Sequence, residues 1–148
     1  MQAMQGRQVI KESTSLTVLI VANSGFMRDG LRSLLTTLLD VNVIGSANGE
    51  VEGLILSNEL HPEVIIVDCT LSNGKGMELI LQLKSQQIRA SVLAIAGSLL
   101  EGKTAMEQGA DGMLIRGYSE GDLRHALRKL IAPPIRTGSP KLDPGDQI

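Results

Sequence analysis

The apolar positions of the chain fall into short continuous runs, and the stretches between them carry a helical period. Runs at 16–22, 64–69 and 91–96 are six or seven residues long, rich in Val, Ile and Leu, and closed by turn-forming residues. Uninterrupted apolar runs of that length are expected of strands buried on both faces, as in a parallel sheet. Weaker runs at 41–46 and 113–116 bring the predicted strands to five. Between them the apolar spacing changes to three and four. Met27, Leu31, Leu34, Leu35 and Leu38 form one stripe, Val51, Leu54 and Ile55 begin a second, and Met77, Ile80 and Leu81 make a third. Leu123, Ala126, Leu127 and Leu130 make the last, while 100–108 reads as a weaker helix with only Ala105 and Met106 to bury. Such stripes put their members on one helix face. Five strand–helix units in alternation predict an α/β fold, a doubly wound parallel sheet with helices on both faces.

The pattern stops outside residues 15–131. Residues 1–14 are polar and Gln-rich and read as a flexible segment. Residues 132–148 hold four of the five prolines, with Gly, Ser and Asp between them, and read as a tail or linker. The 148 residues fit one domain with a sizeable core.

Composition acts mainly by exclusion. At 43% hydrophobic, 20% charged and a net charge of −2, the chain has the balance of a globular protein and not of a disordered one. One Phe, one Tyr and no Trp leave the core to Leu, Ile, Val and Met. They also remove the aromatic platforms on which single-stranded nucleic acid stacks, and no basic stripe replaces them. A lone cysteine, Cys69, cannot form an internal disulfide, which suits a reducing compartment. No signal-peptide core and no apolar run of about 20 residues is present, so the expected location is the cytoplasm, with no membrane contact.

In an open doubly wound sheet, ligands sit beyond the carboxyl ends of the strands. Here those ends are Ala22-Asn23-Ser24, Asp68-Cys69-Thr70, Ala96-Gly97-Ser98 and Arg116-Gly117. Asp68 closes the run Val64-Ile65-Ile66-Val67 and so stands at the mouth of the most apolar strand. Two readings follow: a cap on the turn that comes next, or a nucleophile or metal ligand presented by a rigid strand.

Pro62-Glu63-Val64-Ile65-Ile66-Val67-Asp68 followed by Gly76-Met77-Glu78-Leu79 resembles the phosphoacceptor strand and next helix of response-regulator receiver domains. Gly109-Ala110-Asp111-Gly112, a short strand and a basic residue are similar to that family's fifth-strand signature. Arg28-Asp29-Gly30-Leu31 resembles the first helix of the subgroup that usually carries a helix-turn-helix output domain. The resemblance runs from about Leu16 to Ile131. It implies a flavodoxin-like sheet with strand order 2-1-3-4-5 and a signalling role in two-component systems, not an enzyme with catalytic residues of its own.

The resemblance also implies a pocket that this chain lacks in large part. The family holds Mg²⁺ with an acidic pair after strand one and the strand-three aspartate. A Ser or Thr hydroxyl after strand four and a lysine after strand five hold the phosphoryl oxygens. Here Ala22 and Asn23 stand in the acidic pair, Ala96 at the hydroxyl and Arg116 at the lysine, so only Asp68, the phosphoacceptor candidate, is retained. Mg²⁺ prefers several oxygen ligands in octahedral geometry, so its binding is expected to be lost or very weak, and no other cofactor is implied. Arg116 admits two readings, a two-pronged pair with both Asp68 oxygens or a solvated strand-end arginine. Met113 matches the strand-five aromatic that responds to the hydroxyl, and Ser98 serves as a substitute only if the loop register differs.

Other residues add little chemistry. His61 and His125 lie far apart in the predicted order and read as surface histidines, with no metal site or triad. Cys69 is expected to point into the core, unreactive. Gly45, Gly49, Gly53 and Gly102 form no phosphate-cradling loop and read as turns and tolerated helix positions. The leading expectation is a receiver-like module with a degenerate pocket, acting by phosphorylation-independent protein contact. A histidine kinase, an output domain or a second copy of the chain are the partners in play. The alternative is a receiver modified on Asp68 by a histidine kinase. A small flavodoxin-like enzyme or nucleotide binder is the reading from another class, and it lacks a phosphate loop.

Overall fold

A computed structural model describes residues 15–38, 40–70 and 74–131. The segments 1–14 and 132–148, read above as a flexible segment and a tail, lie outside the described residues. Within them β1 (Leu16–Val21), α1 (Gly25–Thr36), β2 (Val41–Ala47), α2 (Glu50–Leu60) and β3 (Val64–Asp68) alternate. They are followed by α3 (Lys75–Ser85), β4 (Ser91–Ala96), α4 (Leu99–Gln108), β5 (Gly112–Ile115) and α5 (Glu120–Ile131). The strands form one sheet in the order β2-β1-β3-β4-β5, and every neighbouring pair is parallel. The expected order and fold class are therefore found, with strand ends displaced by no more than one residue.

The three central strands carry unbroken apolar runs because both of their faces are covered. Leu19, Val21, Ile65, Val67, Val92 and Ala94 pack in one cluster with Leu79, Ile80 and Leu83 of α3. Their alternates Val18, Ile20, Val64, Ile66, Leu93 and Ile95 pack in the other with α1 and α5. Successive side chains of a strand point to opposite faces, so two cores need an unbroken apolar run. Burial of each such Val, Ile or Leu is worth roughly 1.5–3 kcal/mol. The edge strands β2 and β5 are only partly buried, which is why their sequence signal is weaker.

Three helix stripes need correction. In α2 the side turned to the sheet is Gly53 and Ser57, and Val51 and Ile55 are exposed. A Cβ on Gly53 would come within 3.0 Å of Val21 Cγ1 and 3.2 Å of Leu79 Cδ2, so the helix sits too close to the sheet for larger residues. In α3 Leu79, Ile80 and Leu83 are buried and Leu81 is exposed. In α4 the buried residues are Gly102 and Ala105, and Met106 faces outward. Gly102 and Gly53 are thus contact positions, not merely tolerated ones. The last stripe stands: Leu123 and Leu127 are buried and Ala126 and Leu130 pack against them.

Candidate functional site

Strand alternation and length bring all four predicted strand ends to one edge of the sheet. Asp68 ends β3 with 3% exposure, in register with Ile95 of β4 and one residue past the last pairing with β1, that of Val67 with Val21. Its Oδ1 accepts from the Thr70 backbone N–H at 2.9 Å and from the Thr70 hydroxyl at 2.6 Å. The turn-capping reading of Asp68 is therefore what Oδ1 does. Oδ2 faces Arg116, whose Nη2 lies 3.5 Å away and donates more closely, at 2.7 Å, to Thr70 Oγ1. The two-pronged pair is not formed. One guanidinium nitrogen reaches both residues, and Thr70 passes its own hydroxyl hydrogen on to Asp68. The Arg116 side chain stays 49% exposed while Asp68 is buried, so the pair is closed on one side and wet on the other.

At the end of β1, Ala22 is fully buried and Asn23 is exposed. Arg28 folds back from α1 and donates from Nη1 to the carbonyls of Ala22 at 2.7 Å and Asn23 at 3.2 Å. A cation tethered to the chain thus caps the backbone where the sequence reading looked for an acidic pair. At the end of β4, Ala96 is fully buried, and its carbonyl accepts from the Arg116 backbone N–H at 2.8 Å. Ser98 caps α4 by accepting from Glu101 N, and Glu101 Oε1 accepts from Gly97 N at 2.6 Å. Ser98 is thereby committed to the helix start. Met113 packs on α4, and a Cβ at Gly102 would lie 2.5 Å from its sulfur.

Electrostatics follow from this arrangement. Burial, then Glu101 and then Asp68, push the Cys69 thiol up to about 12. It is buried and un-ionised at neutral pH, as expected. Burial and then Asp68 raise the Tyr118 phenol, while Arg116 acts in the opposite direction. His61 and His125 are both exposed, and no group of three or more His, Cys, Asp or Glu side chains assembles among the described residues. The Cys69 thiol makes one pH effect testable. The unfolded thiol ionises near its ordinary 9.0 and the folded one near 12, so the stability tied to it is intact below pH 9 and lost as pH climbs toward 12. Comparing wild type with Cys69→Ala in urea melts, wild type is expected to lose about 2–3 kcal/mol relative to the variant between pH 8 and 11. A gap that stays constant across that range would show that the thiol is not held protonated.

Sequence reading therefore placed Ala22, Asn23, Asp68, Ala96 and Arg116 together, and missed Thr70, Arg28 and Glu101. A hydroxyl two residues after an aspartate is a readable turn signal. The other two are local as well: Glu101 follows Ser98 at capping-box spacing and reaches Gly97 N four residues back, and Arg28 reaches carbonyls five and six residues before it.

The profile of the response regulator receiver domain matches residues 18–128. The chain belongs to that family. Among relatives of this receiver domain, the nitrate/nitrite response regulator protein NarL of Escherichia coli (strain K12) is 27% identical over 118 residues, covering 78% of this chain and 55% of NarL. The response regulator protein VraR of Staphylococcus aureus (strain Mu3 / ATCC 700698) is 29% identical over 118 residues, covering 78% and 56%. The chain thus spans about half the length of these curated relatives. The signal receiver domain of the putative response regulator NarL from Mycobacterium tuberculosis superposes with a TM-score of 0.71 at 22% identity, covering 78% of this chain and 94% of that one. A LuxR-family two-component response regulator from Aurantimonas sp. SI85-9A1 gives 0.73 at 21% identity, over 78% and 84%. Both share the fold.

Proposed function

We propose that this receiver domain of two-component signalling acts by protein contact and takes no phosphoryl group onto Asp68. The observation that carries the reading is that Asp68 is already engaged within the chain. Oδ1 accepts two bonds from Thr70, and Oδ2 faces the Arg116 guanidinium. Phosphoryl transfer depends on neutralising the charge of the moving group, commonly with a metal. Asp68 is the only carboxylate of the pocket set, and the carbonyls of Ala22 and Asn23 already hold Arg28. That donor set does not fit Mg²⁺, which wants several open oxygens in octahedral array. A receiver of this kind presents one surface constantly, to a kinase or an output domain.

The test is direct. Incubation with acetyl phosphate and Mg²⁺ is expected to leave the intact mass unchanged. A gain of one phosphoryl group that disappears in Asp68→Asn would instead establish the phosphate-accepting receiver. The 3.5 Å separation at Oδ2 is the feature that favours this second reading, because it leaves that oxygen the less firmly held of the two.

A further inference from the structure

The chain has one Phe, one Tyr and no Trp, and the structure brings Phe26 and Tyr118 to the same groove. The groove holds about 500 Å³ and lies between α1 and the loop after β5. Phe26 is 91% exposed on the first turn of α1, so its ring contributes little to the core. Met27 and Leu34 line the groove and rest on the core behind it. They lie two turns apart on α1, about 10 Å at the usual helical rise. A Cβ at Gly30 or at Gly117 would meet nothing within 4 Å, so both rims are open to a flat molecule. Among the described residues Arg116 is the one charged group lining the groove, and the exposed Asp29 is not in its walls. The Arg116 side chain is 49% exposed, and its bonds to Thr70 and Asp68 both leave from Nη2.

We infer that this groove binds a small aromatic carboxylic acid, with its ring against Phe26, Met27 and Leu34 and its carboxylate on the Arg116 guanidinium. Arginine presents a planar fork of N–H donors that matches both oxygens of a carboxylate, and its flat face also stacks on aromatic rings. Apolar walls with a few converging polar groups are the usual build of a small-molecule site, and the volume falls within the range for one. Charge selects the sign of the ligand. A cation would meet Arg116 with no acidic residue on the walls to offset it, and Asp68 is buried and bonded to Thr70. Tyr118 adds a donor, since burial and Asp68 raise its phenol and keep it protonated at neutral pH. The groove is open on one side, so affinity is expected to be modest, on the order of 0.1–1 mM for a two-ring acid. This binding goes beyond the proposed signalling mode, and the two fail separately: intact mass reads the one and ligand titration the other.

2-Naphthoate titrated into the isotope-labelled chain is expected to give saturable amide shifts centred on Met27, Gly30, Gly117 and Tyr118. 2-Naphthalenemethanol keeps the rings and loses the charge, and cyclohexanecarboxylate keeps the charge and loses the rings. Each should bind at least about fivefold more weakly. Arg116→Gln should erase the preference for the acid over the alcohol. Phe26→Ala changes an exposed residue and leaves the core alone, yet should weaken both naphthyl probes about threefold or more. The single Phe and single Tyr make the contact assignable, because NOEs from naphthyl protons to either ring have one source. No saturation by about 10 mM naphthoate, either control binding as tightly as naphthoate, or shifts centred on another face would each overturn the inference. Shifts that follow protein concentration and ignore naphthoate would give the groove to a second copy of the chain and overturn it as well.

Discussion

The variant carrying Ala22→Asp, Asn23→Asp, Ala96→Thr and Arg116→Lys is expected to bind Mg²⁺ at least about a hundredfold more tightly than wild type, a gain of ~2.7 kcal/mol. Two unit charges 4 Å apart at an effective dielectric of 20 attract by about 4 kcal/mol, so two added carboxylates facing a dication exceed that gain several times before desolvation offsets most of it. Metal affinity should return with the two carboxylates alone. Phosphoryl uptake should need the lysine and the hydroxyl as well, because those groups act on the transferred phosphoryl and not on the metal. The four changes should be non-additive, since residues that act as a unit lose most of their value singly. Arg28 sets a further condition. Its guanidinium rests on the carbonyls of residues 22 and 23 and would pair with the new carboxylates, so adding Arg28→Gln should raise Mg²⁺ affinity again. Calorimetry and a rise of melting temperature with Mg²⁺ measure the first effect, and intact mass after acetyl phosphate the second. A folded variant that neither binds Mg²⁺ nor takes up phosphate would show that these strand ends are not a degenerate phosphorylation pocket.

The same residues show where sequence reading stops. The order of elements was legible because the central strands are covered on both faces, which forces unbroken apolar runs at Val18–Val21, Val64–Val67 and Val92–Ala96. Asp68 was legible for the same reason, as the polar residue closing such a run. The second helix was not. Its apolar residues surround the axis, and the face that meets the sheet is chosen by the small size of Gly53 and Ser57, not by hydrophobicity. A stripe rule weighs apolar side chains and is blind to a contact that requires their absence. The side chains that bond the strand ends differ from that helix face in having local contacts. Thr70 bonds Asp68 two residues back, Glu101 reaches Gly97 N four residues back, and Arg28 reaches the Asn23 and Ala22 carbonyls five and six residues back, so all three are set by short stretches of chain. Arg116 was placed at the site, yet its contact through one nitrogen depends on the Thr70 hydroxyl standing between it and Oδ1.

Gly76→Ala is expected to destabilise the domain by about 3 kcal/mol, at the upper end of the range for overpacked sites. Helix propensity alone argues the opposite, favouring Ala over Gly by roughly 1 kcal/mol inside a helix. Packing decides the sign. Gly76 is buried in the first turn of α3, and a Cβ there would stand 2.7 Å from the Asp68 carbonyl oxygen and 2.8 Å from Cys69 Cα. Both obstacles are backbone of the central strand and the turn after it, so neither can swing aside as a side-chain tip would. The added methyl must lift the start of α3, and Leu79 and Ile80 behind it lose contact with the sheet. The Asp68–Thr70 turn lies under the same contact, so the Arg116 arrangement should loosen too. Gly30→Ala is the matched control. It sits on an exposed face of α1 with nothing within 4 Å of its Cβ, so only propensity acts and a gain of roughly 0.5–1 kcal/mol is expected. Thermal melts of the two variants should move in opposite directions, Gly76→Ala downward by roughly 10 °C. If both rise, α3 does not close on the Asp68 backbone as the structure has it, and the site that depends on that closure is drawn wrongly.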